Sequence, residues 1–478
     1  MDIIAVLKPI FEGISKATVD LYADMDLAAY EKAVTDLGRK GIAALIGETL
    51  TELDQSLRDA PHRAEQYTIQ RRGDRTLIST VGDIHFKHTL FQSRKDGSYH
   101  LLLDEMLKLP KDEHFTELGE ASLLKQAATG SYQKAADQIS VGGQKISKVA
   151  VMNKVHRLLE ELPAEAPIKE TKAVRELYIE ADEDHIHRQK SDKNGCIIGK
   201  LVYLYEGKRT VGKGRNELVG TFYFGGSRYV GTEGNRAFWE HIQRFICDHY
   251  DTEVLKRVYI AGDGGAWISA GTEYIAKSCF VTDRFHLMKY LNGASRQMLS
   301  EGEIVKRKLL KYIAKNKLKK AQKLLRRMAM SAANTQPIQV CYTFLTGNWE
   351  AVRRGLFDPR APRCSAEGHV SHLYSERMSS RPMGWSERGA DRMCMLRCYR
   401  ANKGDDRLID LVKFRRERAY EVRKSNGTDG MEIEQTAIRK RYTQAQIESM
   451  KYAERMQAEI SGTITRKRIA IGINRAWF

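Results

Sequence analysis

The order of predicted elements between residues 172 and 286 constrains the fold more than any other feature of the chain. "ELYIEADEDHIHRQ" alternates apolar and polar residues and predicts a strand; "CIIGKLVYLYE" predicts a second strand after the turn "KSDKNG", and "LVGTFYFGG" a third. "GNRAFWEHIQRFICDHY" has helical spacing of its apolar residues, with Thr232 as the expected N-cap. "VLKRVYIAGD" then predicts a fourth strand, "AWISAGTEYIA" a short helix and "SCFVTD" a fifth strand.

Three consecutive strands followed by helix, strand, helix and strand match neither a doubly wound alternation nor a barrel repeat. They give the order of an α/β ribonuclease H-like core, in which strand four adds beside strand one. Strand one carries Asp182, with Glu180 and Asp184 on the same face by two-residue alternation. Strand four ends at Asp263, and Gly264 and Gly265 after it leave room close to the backbone. Two carboxylates on adjacent strands suit phosphoryl transfer, in which two divalent ions roughly 4 Å apart activate the attacking oxygen and stabilise the leaving one. Mg2+ (or Mn2+) is the expected cofactor, since it takes a few carboxylates and keeps other positions for water and substrate.

The charge of the chain agrees with such a substrate. Lys and Arg number 79 against 61 Asp and Glu, a net charge of +18, and the isoelectric point is about 9.4. A polyanionic partner, nucleic acid ahead of an anionic membrane surface, is expected because cationic side chains on phosphates release condensed counterions. No long uncharged apolar run predicts a membrane span, and the start "MDIIAVLKPIFEGISKATVD" lacks a secretory pattern. Seven cysteines without a CxxC pair read as free thiols of a reducing compartment rather than zinc ligands. A cytoplasmic protein is the resulting expectation.

The flanking regions divide by composition. Residues 1–110 predict helices followed by a small β region, with a turn at "KDGS". Residues 111–165 hold a pattern resembling a helix-turn-helix: "SYQKAADQIS", the turn "VGGQK", then "ISKVAVMNKVHRLL" with Ser147 as N-cap. Its exposed face is expected to carry Lys148, Asn153, Lys154 and Arg157; a plain helical hairpin is the alternative. "EELPAEAPIKETK" reads as a linker ahead of the core's first part, 172–286.

Residues 287–358 predict a basic all-helical insertion. Ile304, Leu309, Ile313 and Leu324 are its expected apolar positions, and Lys306, Arg307, Lys319, Lys320, Arg326 and Arg327 its expected phosphate contacts. Residues 359–400 would complete the core, and 401–478 form a basic helical tail. A third carboxylate is sought in "RCSAEGHVSHLYSERMSSRPMGWSERGADRM", which offers Glu367, Glu376 and Glu387.

"IEADEDHIHRQ", "VYIAGDGGAWI", "VTDRFHLMKYL" and above all "CSAEGHVSHLYSERMSSRPMGWS" resemble, in the same order, the DDE transposases of bacterial ISLre-type insertion sequences, relatives of the Mutator-like group. The resemblance covers about residues 70 to 400. It implies DNA strand cleavage and strand transfer at insertion-sequence ends by a homo-oligomer, a dimer on DNA, through Asp182, Asp263 and Glu367 as catalytic residues and metal ligands. Glu367 with Arg377, Arg381 and Gly384-Trp385 after it fits that layout better than Glu376; Asp184 and Glu376 stay as alternates. His286 either aids the reaction or is a buried histidine beside an N-cap at Asp283, and His369 either contacts DNA or supports Glu367. A catalytically inactive, domesticated DNA-binding protein and a structure-specific nuclease on the same fold are the alternatives.

Overall fold

The computed structural model describes residues 3–139, 143–158, 162–163, 170–189, 195–213 and 215–425. The chain divides into two units, one of residues 1–77, 84–114 and 416–478, the other of residues 78–83 and 115–415. The linker expected at 160–172 and the tail beyond 425 lie largely outside the described residues. None of the described helices is long and apolar enough to cross a membrane.

The first unit opens on a helical hairpin, α1 (Ile3–Asp24) and α2 (Leu27–Arg58), with Asp26 accepting from the Ala29 amide as N-cap. After α3 (Arg63–Gln66) come the antiparallel strands β1 (Tyr67–Ser79), β2 (Gly82–Ser93) and β3 (Tyr99–His100), then α4 (Leu102–Met106). At the β2–β3 turn, Asp96 accepts from the amide and hydroxyl of Ser98, which lowers its carboxyl to about 2.

In the second unit α5 (Glu117–Thr129), α6 (Tyr132–Ile139) and α7 (Lys148–His156) precede the sheet. Ser147 caps α7 by accepting from the Ala150 amide. The helix departs from the expected exposed face at one position, Lys154. Val151, Lys154 and Val155 are buried, and the Lys154 ammonium meets Glu120 at 3.4 Å over the Phe115 ring. Lys154 therefore belongs to the packing, whereas Lys148, Asn153 and Arg157 stay exposed.

The central sheet contains β4 (Glu176–His187), β5 (Cys196–Tyr205), β8 (Phe222–Gly226), β9 (Arg257–Gly262) and β10 (Ser278–Thr282) in the order β10-β9-β4-β5-β8. β4, β9 and β10 run parallel, and β5 runs antiparallel to both β4 and β8. The segment expected as one third strand is interrupted at Gly220, whose φ is +65°. Its first part pairs instead in a separate ribbon, β6 (Gly207–Gly212) with β7 (Arg215–Val219). α8 (Gly231–His249) has Val230 as its N-cap residue, with no side-chain cap, two residues before the expected Thr232.

Alternation along β4 decides which helices cover which face. Leu177, Ile179 and Ala181 pack with Val202, Leu204, Val258 and Ile260 under Phe238, Trp239, Ile242 and Ile246 of α8. The opposite face, with Ile186 and Leu201, meets Tyr374, Met393, Cys394 and Leu396. Tyr374 requires a glycine across from it: a Cβ at Gly225 would lie 1.8 Å from its hydroxyl, which donates to the Lys200 carbonyl at 3.1 Å.

After the short helices α9 (Ala266–Ser269) and α10 (Gly271–Tyr274), and then β10, the insertion comprises α11 (Arg284–Ser295), α12 (Gly302–Ala314), α13 (Leu318–Ser331), α14 (Gln336–Gly347) and α15 (Trp349–Phe357). It has a core of its own, with Leu287, Leu309, Ile313, Leu325, Cys341 and Trp349 buried. Two expected core positions are corrected by one residue, to Val305 and Leu325; Ile304 is exposed and Leu324 only partly buried. The helices α16 (Ala366–Val370), α17 (Glu376–Met378) and α18 (Glu387–Lys403) complete this unit, with a π-turn at Ser371–Ser375. α19 (Leu408–Ser425) follows.

Candidate active site at the strand ends

Register alone gathers three carboxylates. β4 and β9 pair Glu180 with Ala261, and β9 and β10 pair Gly262 with Thr282. Carried on, that register sets Asp182, midway along β4, beside Asp263, and Asp263 beside Asp283, the latter two just past the carboxyl ends of β9 and β10, where open α/β sheets bind ligands. Asp263 accepts from the Gly265 amide at 2.8 Å, and Gly264 between them adopts φ +100°, a conformation that favours glycine.

Burial first, and the charge of Asp263 in addition, push the Asp182 carboxyl up to about 6, against the hydrogen bond from the Glu183 amide at 2.8 Å. Asp283 caps α11 through the Phe285 amide and accepts from His286 Nδ1 at 3.1 Å. That bond raises the His286 pKa, and the charges of Asp283 and Asp263 add to it. Asp283 is thus the expected helix cap, and the half-buried His286 sits on its carboxylate.

The other acids on this face of β4 are already engaged. Glu180 is fully buried and accepts from the Tyr203 hydroxyl, the Tyr205 hydroxyl at 2.6 Å and the Ser365 amide at 2.5 Å. Asp184, an alternate for the first catalytic place, is buried and takes the Ser379 hydroxyl at 2.9 Å on both oxygens. Asp182 lies between these two and receives only its neighbour's amide. The segment that begins at Ser365 thus follows β4 in the strand's own direction, past Ser379 to Trp385, whose amide donates to the His187 carbonyl at 2.9 Å.

This segment carries the expected third carboxylate. Glu367 sits in the first turn of α16, two residues after the Ser365 that Glu180 holds, and its side chain is exposed; so is Glu376. Among the described residues no three His, Cys, Asp or Glu side chains converge to hold a metal ion. Of the expected Asp182, Asp263 and Glu367, register sets the first two side by side, and Glu367 does not join them in a three-ligand group. The donor chemistry of the two fits a hard divalent cation, since a buried carboxyl raised by its neighbour's charge is relieved by added positive charge.

The remaining expected residues separate into structural and exposed groups. His369 stacks on Tyr203 with ring centroids 4.2 Å apart, and its Nδ1 is 3.0 Å from the Tyr223 hydroxyl; burial lowers its pKa, so it supports the α16 segment. Arg377 is buried, donates to the Ala127 carbonyl at 3.0 Å and lies over Trp385, whose ring nitrogen donates to the Met378 carbonyl. Trp385 is thus a packing residue. Arg381, Arg307, Lys319, Lys320, Arg326 and Arg327 are exposed, and Lys306 is half-buried beside Glu303. Sequence reasoning missed the tyrosine-lined anchor at Glu180, although tyrosines at 178, 203, 205 and 259 share its strand parity and signal a polar, aromatic sheet face.

On the opposite face of β4, Glu183 and Lys200 line a cavity of about 1110 Å³ that also reaches Gly265 and Trp267. The Lys200 ammonium donates to the Tyr229 carbonyl at 2.7 Å and to the Asn235 side chain, and burial lowers its pKa. Asp182 and Asp263 do not line this cavity.

The profile of an uncharacterised protein family, UPF0236, matches residues 22–415. A UPF0236 protein of Caldanaerobacter subterraneus subsp. tengcongensis, whose name joins eleven locus designations beginning with TTE0033, is 34% identical over 406 residues, 84% of this chain and 83% of its own length. The UPF0236 protein TTE2489 of the same organism is 33% identical over 409 residues, 84% and 85% of the two chains.

Proposed function

The chain belongs to the uncharacterised family UPF0236, and from that premise we propose that it is a DDE-type DNA transposase of the ISLre kind with a ribonuclease H-like catalytic core. The observation that carries this reading is the meeting of Asp182, midway along β4, with Asp263 at the end of the parallel strand β9, where Asp283 and His286 lie beside them. The strand order β10-β9-β4-β5-β8, with its first three members in chain order antiparallel and the last two parallel to the first, supports the fold assignment. The relative designated by eleven loci of one organism supports mobility, because a transposing gene accumulates in copies.

Asp182 and Asp263 would hold a divalent cation (Mg2+ or Mn2+, in a pair), with Glu367 as the further ligand. Bound there, the metal supplies the positive charge that in-line phosphoryl transfer demands. The chain's own groups do the rest. Asp283 orients His286 and raises its pKa, which favours a cation where a scissile phosphate would meet the carboxylates. Glu180 fixes Ser365 and with it the start of α16. Duplex DNA is the substrate, a dimer on DNA the working form, and the bacterial cytoplasm at the nucleoid the location.

The test is strand cleavage in Mg2+ on duplexes carrying the sequences that flank the gene. Asp263→Asn should reduce cleavage by ~10³-fold or more while DNA binding persists. Retained cleavage by this variant overturns the assignment. Cleavage by the wild type without any strand-transfer product would make the protein a nuclease on the same fold. Binding without either would make it a catalytically inactive DNA-binding protein.

A further inference from the structure

The ribbon formed by β6 and β7 has no evident task in its own unit. Its strands pair from Gly207–Val219 to Gly212–Arg215 with a bulge at Thr210/Gly212, and the Glu206 amide closes its base on the Val219 carbonyl at 2.8 Å. Apart from Gly207 and Leu218, every described residue of the two strands is exposed, Val211 by 53%. Among the described residues the ribbon is held at its root, where Leu218 packs beside Tyr203 and Tyr205 and the Lys208 ammonium lies over the Tyr205 ring. A two-stranded ribbon is at best marginally stable in water by itself, and its exposed remainder is free to meet something outside its own unit.

Its charge says what. Lys208, Arg209, Lys213 and Arg215 face a single acid, Glu217, within thirteen residues. The Arg209–Glu217 pair, 2.8 Å apart, is exposed on both sides and so holds Arg209 only weakly. Thr210 and Asn216, joined across the strands at 3.0 Å, add neutral hydrogen-bonding groups. The root of the ribbon abuts the candidate site: the Lys208 ammonium donates to the Arg363 carbonyl at 3.2 Å, two residues before Ser365.

We propose that this ribbon enters a groove of duplex DNA and holds it against the strand-end carboxylates. A two-stranded antiparallel ribbon fits the major groove, roughly 12 Å wide, and five or six residues at about 3.4 Å each reach roughly 20 Å outward. The cations take phosphates on the groove walls. The inference rests on the DNA-transposase reading and adds the element that grips the substrate next to the chemistry.

The experiment uses the full chain and a 30-base-pair duplex, with affinity measured by fluorescence anisotropy from low to moderate salt. Lys213→Ala with Arg215→Ala should weaken binding by ~10-fold and reduce the slope of log Kd against log salt by about 2. Both residues are exposed, so the thermal unfolding temperature should stay unchanged. A second variant joins Glu206 to Gly220 through a short Gly-Ser turn and should lose at least as much affinity. Unchanged affinity and slope in both variants, with the wild type binding duplex, overturns the ribbon proposal and leaves the transposase reading intact. An equal loss on single-stranded DNA overturns groove entry. A wild type that binds no duplex at any salt overturns the transposase reading itself.

Discussion

The sheet and the helices of the second unit differ in how they hold their polar residues. On β4 the carboxylates Glu180, Asp182 and Asp184 occupy one face, as two-residue alternation requires, and the neighbouring strand ends bring Asp263 and Asp283 alongside. On the helices the outcome shifts by a residue at a time: Lys154 turns inward on α7, Val305 replaces Ile304 on α12, and Leu325 replaces Leu324 on α13. A strand has two faces, and hydrogen-bonded register locks each neighbour to them. A helix presents a continuous surface, and the partner that packs on it selects the buried stripe.

Glu367 is the position where this contrast matters most for chemistry, because it rides on a short helix and not on a strand. In a cleavage assay Glu367→Gln should lose at least ~10²-fold, as removal of a metal ligand does, while Glu376→Gln stays within a few-fold. The reverse result would transfer the third place to Glu376. Little change in either would leave Asp182, Asp263 and Asp283 to act alone.

Lys154 gives the same contrast a stability readout. Lys154→Ala deprives buried Glu120 of one of its cations, Arg415 at 2.8 Å being another. The expected loss in urea unfolding is about 3 kcal/mol. Lys148→Ala, one turn and a half earlier and exposed, should change stability by less than about 0.5 kcal/mol. Equal effects would show that α7 is oriented as the sequence alone suggested.

A pH-dependent effect tests the sheet side. The Asp182 carboxyl is raised from 3.8 to about 6 in the folded chain, so the native state binds this proton more tightly than the unfolded one. Stability from this group is complete below about pH 4, falls as pH rises to about 6, and stays reduced above it, by about 3 kcal/mol. Asp182→Asn should therefore be more stable than the wild type at pH 7.5 in EDTA by about that amount, and equal to it below pH 4. Added Mg2+ should narrow the gap by stabilising the wild type. No difference at pH 7.5 would mean that burial beside Asp263 does not govern this carboxyl.

Much of this protein was readable from residue order. Alternation and turn residues located β4, β5, β9 and β10, and the position of Asp182 and Asp263 on consecutive parallel strands followed from them. The strand ends could be read because backbone pairing depends on position along the chain and little on which side chains surround it. The sequence did not reveal that Tyr203, Tyr205 and Ser365 would consume Glu180, that Ser379 would take Asp184, or that Asp182 would be left between them. Those bonds join residues up to 195 positions apart, and no local pattern encodes which distant hydroxyl reaches a carboxylate. The basic ribbon at 207–219 was hidden for a related reason: Gly220 looked like part of a continuous strand until its left-handed backbone turned the chain. Composition and period thus decided the elements and the side of the sheet. Which acid remains free for chemistry was decided only by tertiary packing, since burial and donor supply belong to the assembled neighbourhood of a residue and not to its place in the chain.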